Sequence, residues 1–92
     1  MIQSFRCGET ERVFHLQGSR KFGNIAQVAF RKLKMLDAAN VLDDLVRFPG
    51  NRLEALRGDR AGQHSIRVND QFRVCFVWRD GNAYAVEIVD YH

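Results

Sequence analysis

Three stretches in the second half of the chain alternate with a period of two. Ile66 and Val68 alternate with Ser65 and Arg67. Phe72, Val74, Phe76 and Trp78 alternate with Arg73, Cys75, Val77 and Arg79, and Tyr84, Val86 and Ile88 alternate with Ala85, Glu87 and Val89. A strand sends successive side chains to opposite faces, so the pattern predicts three strands with turns at "NDQ" and "DGN". If each turn leaves three residues unpaired, Val68 faces Phe72, Trp78 faces Tyr84, and all the apolar sets share one face. A two-residue loop would slip the register by one and turn alternate strands over, so three-residue turns are expected. The second face then carries Arg67, Arg73, Cys75, Glu87 and, at its edge, Tyr91.

Upstream the period becomes helical. In "NIAQVAFRKLKMLDAA", Ile25, Ala29, Leu33 and Leu36 form one stripe, with Ala26 and Phe30 beside it and Arg31 and Lys34 pointing away. Asn24 is its expected N-cap. "TERVFHLQG" predicts a short helix capped by Thr10, with Val13 and Phe14 on its apolar side and Gly18 ending it. "NVLDDLVRF" offers a further turn or two, with Val41, Leu42, Leu45 and Val46 inward, before "PGN" stops it. "MIQSFR" reads as a short first strand, and "RLEALRGDRAGQ" as an Arg- and Gly-rich loop with little to bury. The sum is one α+β domain over residues 1–92. It has a mostly antiparallel four-stranded sheet, two to three helices on one face, and a half-open basic groove on the other. A chain of 92 residues holds one core, and 46% hydrophobic with 27% charged residues is ordinary for a soluble globular fold.

Charge narrows the chemistry. Lys and Arg number 14 against 11 Asp and Glu, for a net +3, and only Lys21, Lys32 and Lys34 of the 14 are lysines. Guanidinium forks match phosphate oxygens, so the balance leans towards phosphate contacts. Arg67 and Arg73 on a solvent-facing sheet face compete between simple solvation and a phosphate site. "LRGDRAG" adds Arg57 and Arg60 around Gly58 and Gly62, where backbone amides can approach an anion. No Lys-Ser/Thr follows, so this is not a P-loop. The "RGD" tripeptide is not read as an adhesion signal.

Cys7 and Cys75 are far apart and suit reduced thiols, and His15, His64 and His92 are scattered without metal-ligand spacing. No metal site is expected. His15 and His64 read as packing residues, and Phe72, Phe76 and Trp78 as core rather than base-stacking platforms. "MIQSFRCGETERVFH" has no signal-peptide core and no apolar run approaches the ~18 residues of a membrane span. The expectation is a cytoplasmic protein with no membrane contact.

The chain closes on "VEIVDYH", an apolar strand ending in Asp90, Tyr91 and His92. Termini usually fray, so a polar tail with no role is the plain reading. The alternative is chemistry, because His serves as acid or base near neutral pH and Tyr can hold a hydroxyl or phosphate oxygen.

Taken together, "LEALRGDRAGQHSIRVNDQFRVCFVW", "VEIVDYH", "MIQSF" and "RKLKMLDAA" resemble the HigB branch of the RelE/ParE toxin superfamily over nearly the whole chain. The resemblance implies a RelE-like fold and a toxin of a type II toxin–antitoxin pair. Such a toxin enters the ribosomal A site and cuts mRNA by 2′-hydroxyl attack on the adjacent phosphate, without metal or cofactor. It implies three kinds of partner: a HigA-type helix-turn-helix antitoxin, the ribosome with its mRNA, and operator DNA reached only through the antitoxin complex. Carried over by residue, Arg73 matches the transition-state arginine and Asp90, Tyr91 and His92 match the terminal catalytic set. Arg57 falls where the family can have a Lys, and Glu54 where some members have a His that aids cleavage. Arg60 and Arg67 join Arg57 as phosphate contacts. The departure at Glu54 keeps two other readings open: a ParE-like toxin acting on a protein such as gyrase, and an RNA- or ribosome-binding module that leaves RNA intact.

Overall fold

Helix α2 (Ala26–Ala38) carries the stripe on which the core is built. The computed structural model describes residues 1–16 and 18–90. Ile25, Ala29, Leu33 and Leu36 are buried as their spacing predicts. They meet Val13 of α1 (Gly8–Leu16) and Leu45 of α3 (Asp43–Val46) on the helical side. On the sheet side they meet Ile66, Val68, Val74, Phe76, Ala83, Val86 and Ile88. Among the described residues the sheet has four strands in the order β1 (Glu54–Ala55), β2 (Gln63–Arg67), β3 (Phe72–Arg79) and β4 (Asn82–Asp90), all antiparallel. The helices lie on one face, and no described helix is long and apolar enough to cross a membrane.

The strand count matches the expectation, but one member differs. "MIQSFR" forms isolated parallel bridges, Ile2 with Ala83 and Phe5 with Val86, along the outer edge of β4. The fourth strand is instead the two-residue Glu54–Ala55, inside the segment expected to be loop. Two residues are too few to show a period. That segment also buries Leu56, against the expectation that it has little to bury.

The turns differ as well. Val68 N donates to Phe72 O across the first, as expected. The second is a two-residue loop, because Arg79 pairs with Asn82. Asp80 and Gly81 both have positive φ, 53° and 78°, the geometry that matches strand twist in a tight hairpin. A Cβ on Gly81 would lie 3.2 Å from the Asn40 carbonyl, so the loop also packs closely. The parity error that such a loop creates is corrected by a β-bulge. The register shifts between Cys75 and Val77, and Ala85 takes φ +52° opposite that point. Trp78 therefore faces Ala83, which is fully buried, rather than Tyr84. Tyr84 turns to the opposite face, with the Arg79 guanidinium 4.5 Å from its ring centre. Ser4 holds the bulge, its Oγ accepting from Ala85 N at 2.8 Å and its carbonyl from Val86 N at 3.1 Å.

Three cap and burial expectations are corrected. Thr10 lies inside α1, fully buried, and its Oγ1 accepts from Ile88 N at 2.9 Å instead of capping the helix. Ile25 occupies the N-cap of α2, with no side-chain cap, in place of Asn24. Of the four apolar residues around α3 only Leu45 is buried; Val41 and Val46 are 54% and 55% exposed, because the helix is a single turn with room for one inward residue.

Beyond α3 the chain makes a tight turn, Pro49–Asn51, that ties the helices to the sheet edge. Asn51 is fully buried. Its amide donates to Leu45 O at 3.0 Å and to Met35 Sδ at 3.1 Å, and its oxygen accepts from Lys32 Nζ at 2.5 Å.

Thr10→Val keeps the shape but leaves the Ile88 amide buried without its acceptor. Unfolding free energy should fall by about 1–3 kcal/mol in chemical denaturation. At the bulge, Ala85→Gly should hold or raise stability, whereas Ala85→Val should lower it by about 1–2 kcal/mol; equal values for the two would exclude the positive-φ account.

Candidate active site

Directly opposed residues of neighbouring strands share a face, so the register defines the surface away from the helices. One row runs Glu54, Ser65, Cys75 and Glu87 across all four strands. The next runs Arg67, Arg73 and Val89. The structure thus gathers Arg67 and Arg73 on one face, as period two predicts, and the edge strand β1 adds Glu54 to it.

Arg73 is held from several directions. Its Nε donates to Ser65 Oγ at 2.6 Å, and its Nη2 to Arg52 O at 2.6 Å and to Ser65 O at 3.3 Å. Ser65 and Cys75 are fully buried although they face away from the main core. Burial pushes the Cys75 thiol up; Arg60 and Arg73 act to lower it and Glu87 and Glu54 to raise it, so mixed charge surrounds it.

The face is less basic than its arginines suggest. Arg60 comes over the sheet from the turn Gly58–Arg60 and pairs with Glu87 at 2.8 Å while also donating to Gln63 Oε1 at 3.1 Å. Arg6 Nε lies 4.0 Å from the same Glu87 oxygen, and Arg67 pairs with Asp70. Gly58 and Gly62, at φ +63° and +92°, let the loop double back over the sheet. Arg57 is exposed at the rim and lines a shallow hollow of about 390 Å³ with Glu54, Ala55 and Leu56.

Asp90 ends β4 opposite Phe72, which places it on the helix-side parity. Its Oδ2 accepts from Gln71 Nε2 at 3.0 Å, and the preceding residue, Val89, stands opposite Arg73. Tyr91 and His92 lie outside the described residues. His64 stacks on Phe76 at 6.2 Å as a packing residue, whereas His15, edge-on to Phe14 at 5.1 Å, is largely exposed with Nε2 3.7 Å from Glu11 Oε2. Among the described residues no cluster of His, Cys, Asp or Glu suits a metal ion.

Sequence reasoning missed two groups that hold the site. Ser65 was legible, since it sits two residues before Arg67 on the same face. The Arg52 carbonyl was not, because it depends on a left-handed backbone (φ 44°, ψ 56°) at a residue type that rarely adopts it.

A four-stranded antiparallel sheet with helices on one face and a clamped arginine on the other defines a small α+β domain. The family model for the HigB-like toxin, a RelE-like toxin of type II toxin–antitoxin systems, matches residues 2–92, and the chain belongs to that family. It is 52% identical over 60 residues to Toxin HigB-1 of Vibrio cholerae, covering 65% of this chain and 63% of that protein. It is 36% identical over 61 residues to Endoribonuclease HigB of Proteus vulgaris, covering 66% of this chain and 65% of that protein. The chain thus matches less than two thirds of the length of either relative. In fold it is similar to toxin–antitoxin structures described as YoeB-YefM complexes from Staphylococcus aureus. The TM-scores are 0.61 and 0.57 at 17% and 18% identity, and the match covers all of this chain and 98% of each of theirs.

Cys7 gives the thiols a measurable contrast. Partial burial pushes its pKa up, but backbone amides of Thr10 and Glu9 and the Thr10 hydroxyl outweigh this and hold it below the ordinary value. Thiolate is the reactive form. At neutral pH iodoacetamide should therefore modify Cys7 well before Cys75, and denaturant should remove the difference; peptide mass spectrometry reads both sites.

Proposed function

We propose that this protein is the toxin of a type II toxin–antitoxin pair and cleaves mRNA in the ribosomal A site. The observation that carries the reading is Arg73. Its guanidinium is clamped on the open sheet face, beside the strand that leads into Asp90-Tyr91-His92. Membership of the HigB-like family supports it, as does a relative named Endoribonuclease HigB.

In the proposed reaction the 2′-hydroxyl oxygen bonds to the adjacent phosphorus and the P–O5′ bond breaks. One proton leaves the hydroxyl and one is delivered to the 5′-oxygen, giving a cyclic phosphate end. Charge builds on the phosphorane oxygens between these events, and fixed cations lower that barrier. His92 serves as acid or base, Asp90 orients it, and Tyr91 positions the RNA. Arg73 and Arg57 stabilise the phosphorane, and Arg67 and Arg60 meet neighbouring phosphates, Arg60 on leaving Glu87. Glu54 stands where a second base is useful and repels phosphate, which slows cleavage. The chemistry needs no metal or cofactor. The partners are a HigA-type helix-turn-helix antitoxin, the 70S ribosome with mRNA, and operator DNA only through the antitoxin complex. The site of action is the cytoplasm.

Toeprinting of a defined mRNA on programmed ribosomes tests this. Cuts within the A-site codon are expected from the intact protein. They should fall by about a hundredfold or more in Arg73→Ala and disappear when His92 is removed. A folded, growth-inhibiting protein that leaves the mRNA whole would instead place it with toxins acting on a protein target such as gyrase.

A further inference from the structure

We propose that Ser65 and the backbone carbonyl of Arg52 form a positioning clamp that fixes the guanidinium of Arg73 for phosphorane stabilisation. The proposal rests on the role given to Arg73 in the cleavage reading above.

An arginine on a sheet face has many rotamers, and ordering it costs side-chain entropy. An open, flexible guanidinium stabilises a transition state poorly, because part of the interaction goes into ordering the cation during the reaction. Here the ordering is done in advance. Nε meets Ser65 Oγ, and Nη2 meets both the Arg52 and Ser65 carbonyls. The guanidinium is planar, so fixing Nε and Nη2 fixes the direction of all its donors.

Two features set this apart from ordinary surface hydrogen bonding. Ser65 is fully buried on the site face, so its hydroxyl is a desolvated acceptor beneath the arginine. Arg52 adopts the left-handed region at φ 44°, where a residue with a side chain is strained. In that conformation its carbonyl accepts from Nη2. The preceding residue, the buried Asn51, is bonded to Lys32, Met35 and Leu45, and this anchors the strained carbonyl to the helices. The clamp thus connects the helical layer to the opposite face of the sheet around the β1 edge.

The test is a double-mutant cycle on ribosome-bound mRNA, read as kcat and KM with melting temperature alongside. Ser65→Ala should lower kcat about tenfold with KM nearly unchanged, since a loosened guanidinium still meets RNA but misses the phosphorane. Ser65→Thr keeps the hydroxyl and should keep most of the rate. In the Arg73→Ala background, under enzyme excess, adding Ser65→Ala should cost nothing further. Wild-type kcat in Ser65→Ala beside a crippled Arg73→Ala overturns the clamp, as does a multiplicative loss in the double variant. Full cleavage by Arg73→Ala defeats the cleavage role of Arg73 itself, and the clamp with it. Should Ser65→Ala fail to fold, the wild-type Arg73 Nε–H resonance decides. Slow exchange with water is expected, and fast exchange overturns the proposal.

Discussion

Strand parity decides which side chains of β4 meet the helices and which meet the open face. A two-residue hairpin between β3 and β4, continued without correction, would set Ala85, Glu87 and Val89 against the helices and turn Val86 and Ile88 outward. A carboxylate would enter the core and two large apolar groups would leave it. One extra residue at Ala85 reverses this. Val86 and Ile88 reach the helices, while Glu87 and Val89 join Cys75 and Arg73 on the open face. The core and the site are therefore two consequences of the same bulge.

The open face then holds its charges by pairing rather than by excess. Glu87 and Asp70 engage arginines that the composition would offer to phosphate. Any polyanion meeting this face would compete with carboxylates already in place. Such competition favours a strongly charged, well-placed phosphate over casual contact with any polyanion. Arg73 is held in part by neutral acceptors, a hydroxyl and two carbonyls.

Much of this was legible in the residues. The stripe from Ile25 to Leu36 and the alternation from Ile66 to Phe76 fixed the two layers, and with them the company of Arg67, Arg73 and Glu87. What escaped notice depends on single backbone conformations. Trp78 opposite Ala83 instead of Tyr84 requires the positive φ at Ala85, and alanine does not announce one. Thr10 looked like a cap because hydroxyls favour that position; its actual partner, the Ile88 amide, is 78 residues away. Glu54 and Ala55 pair with Ser65 and His64 without any periodicity of their own. The terminal Tyr91 and His92 were singled out by residue type and family resemblance, and lie outside the described residues.

The first six residues run beside β4 without becoming a strand, taking hydrogen bonds from Ala83, Ala85 and Val86 and giving them to Ala83 and Val86. β4 is the longest strand, and its far side would otherwise be a bare ladder of amides and carbonyls able to recruit another sheet. The leading segment works as a selvage, the finished border that stops a fabric from unravelling or catching on its neighbour. The opposite border is β1, only two residues long. A protein finished on both sides in this way can reach high local concentration without stacking into fibres.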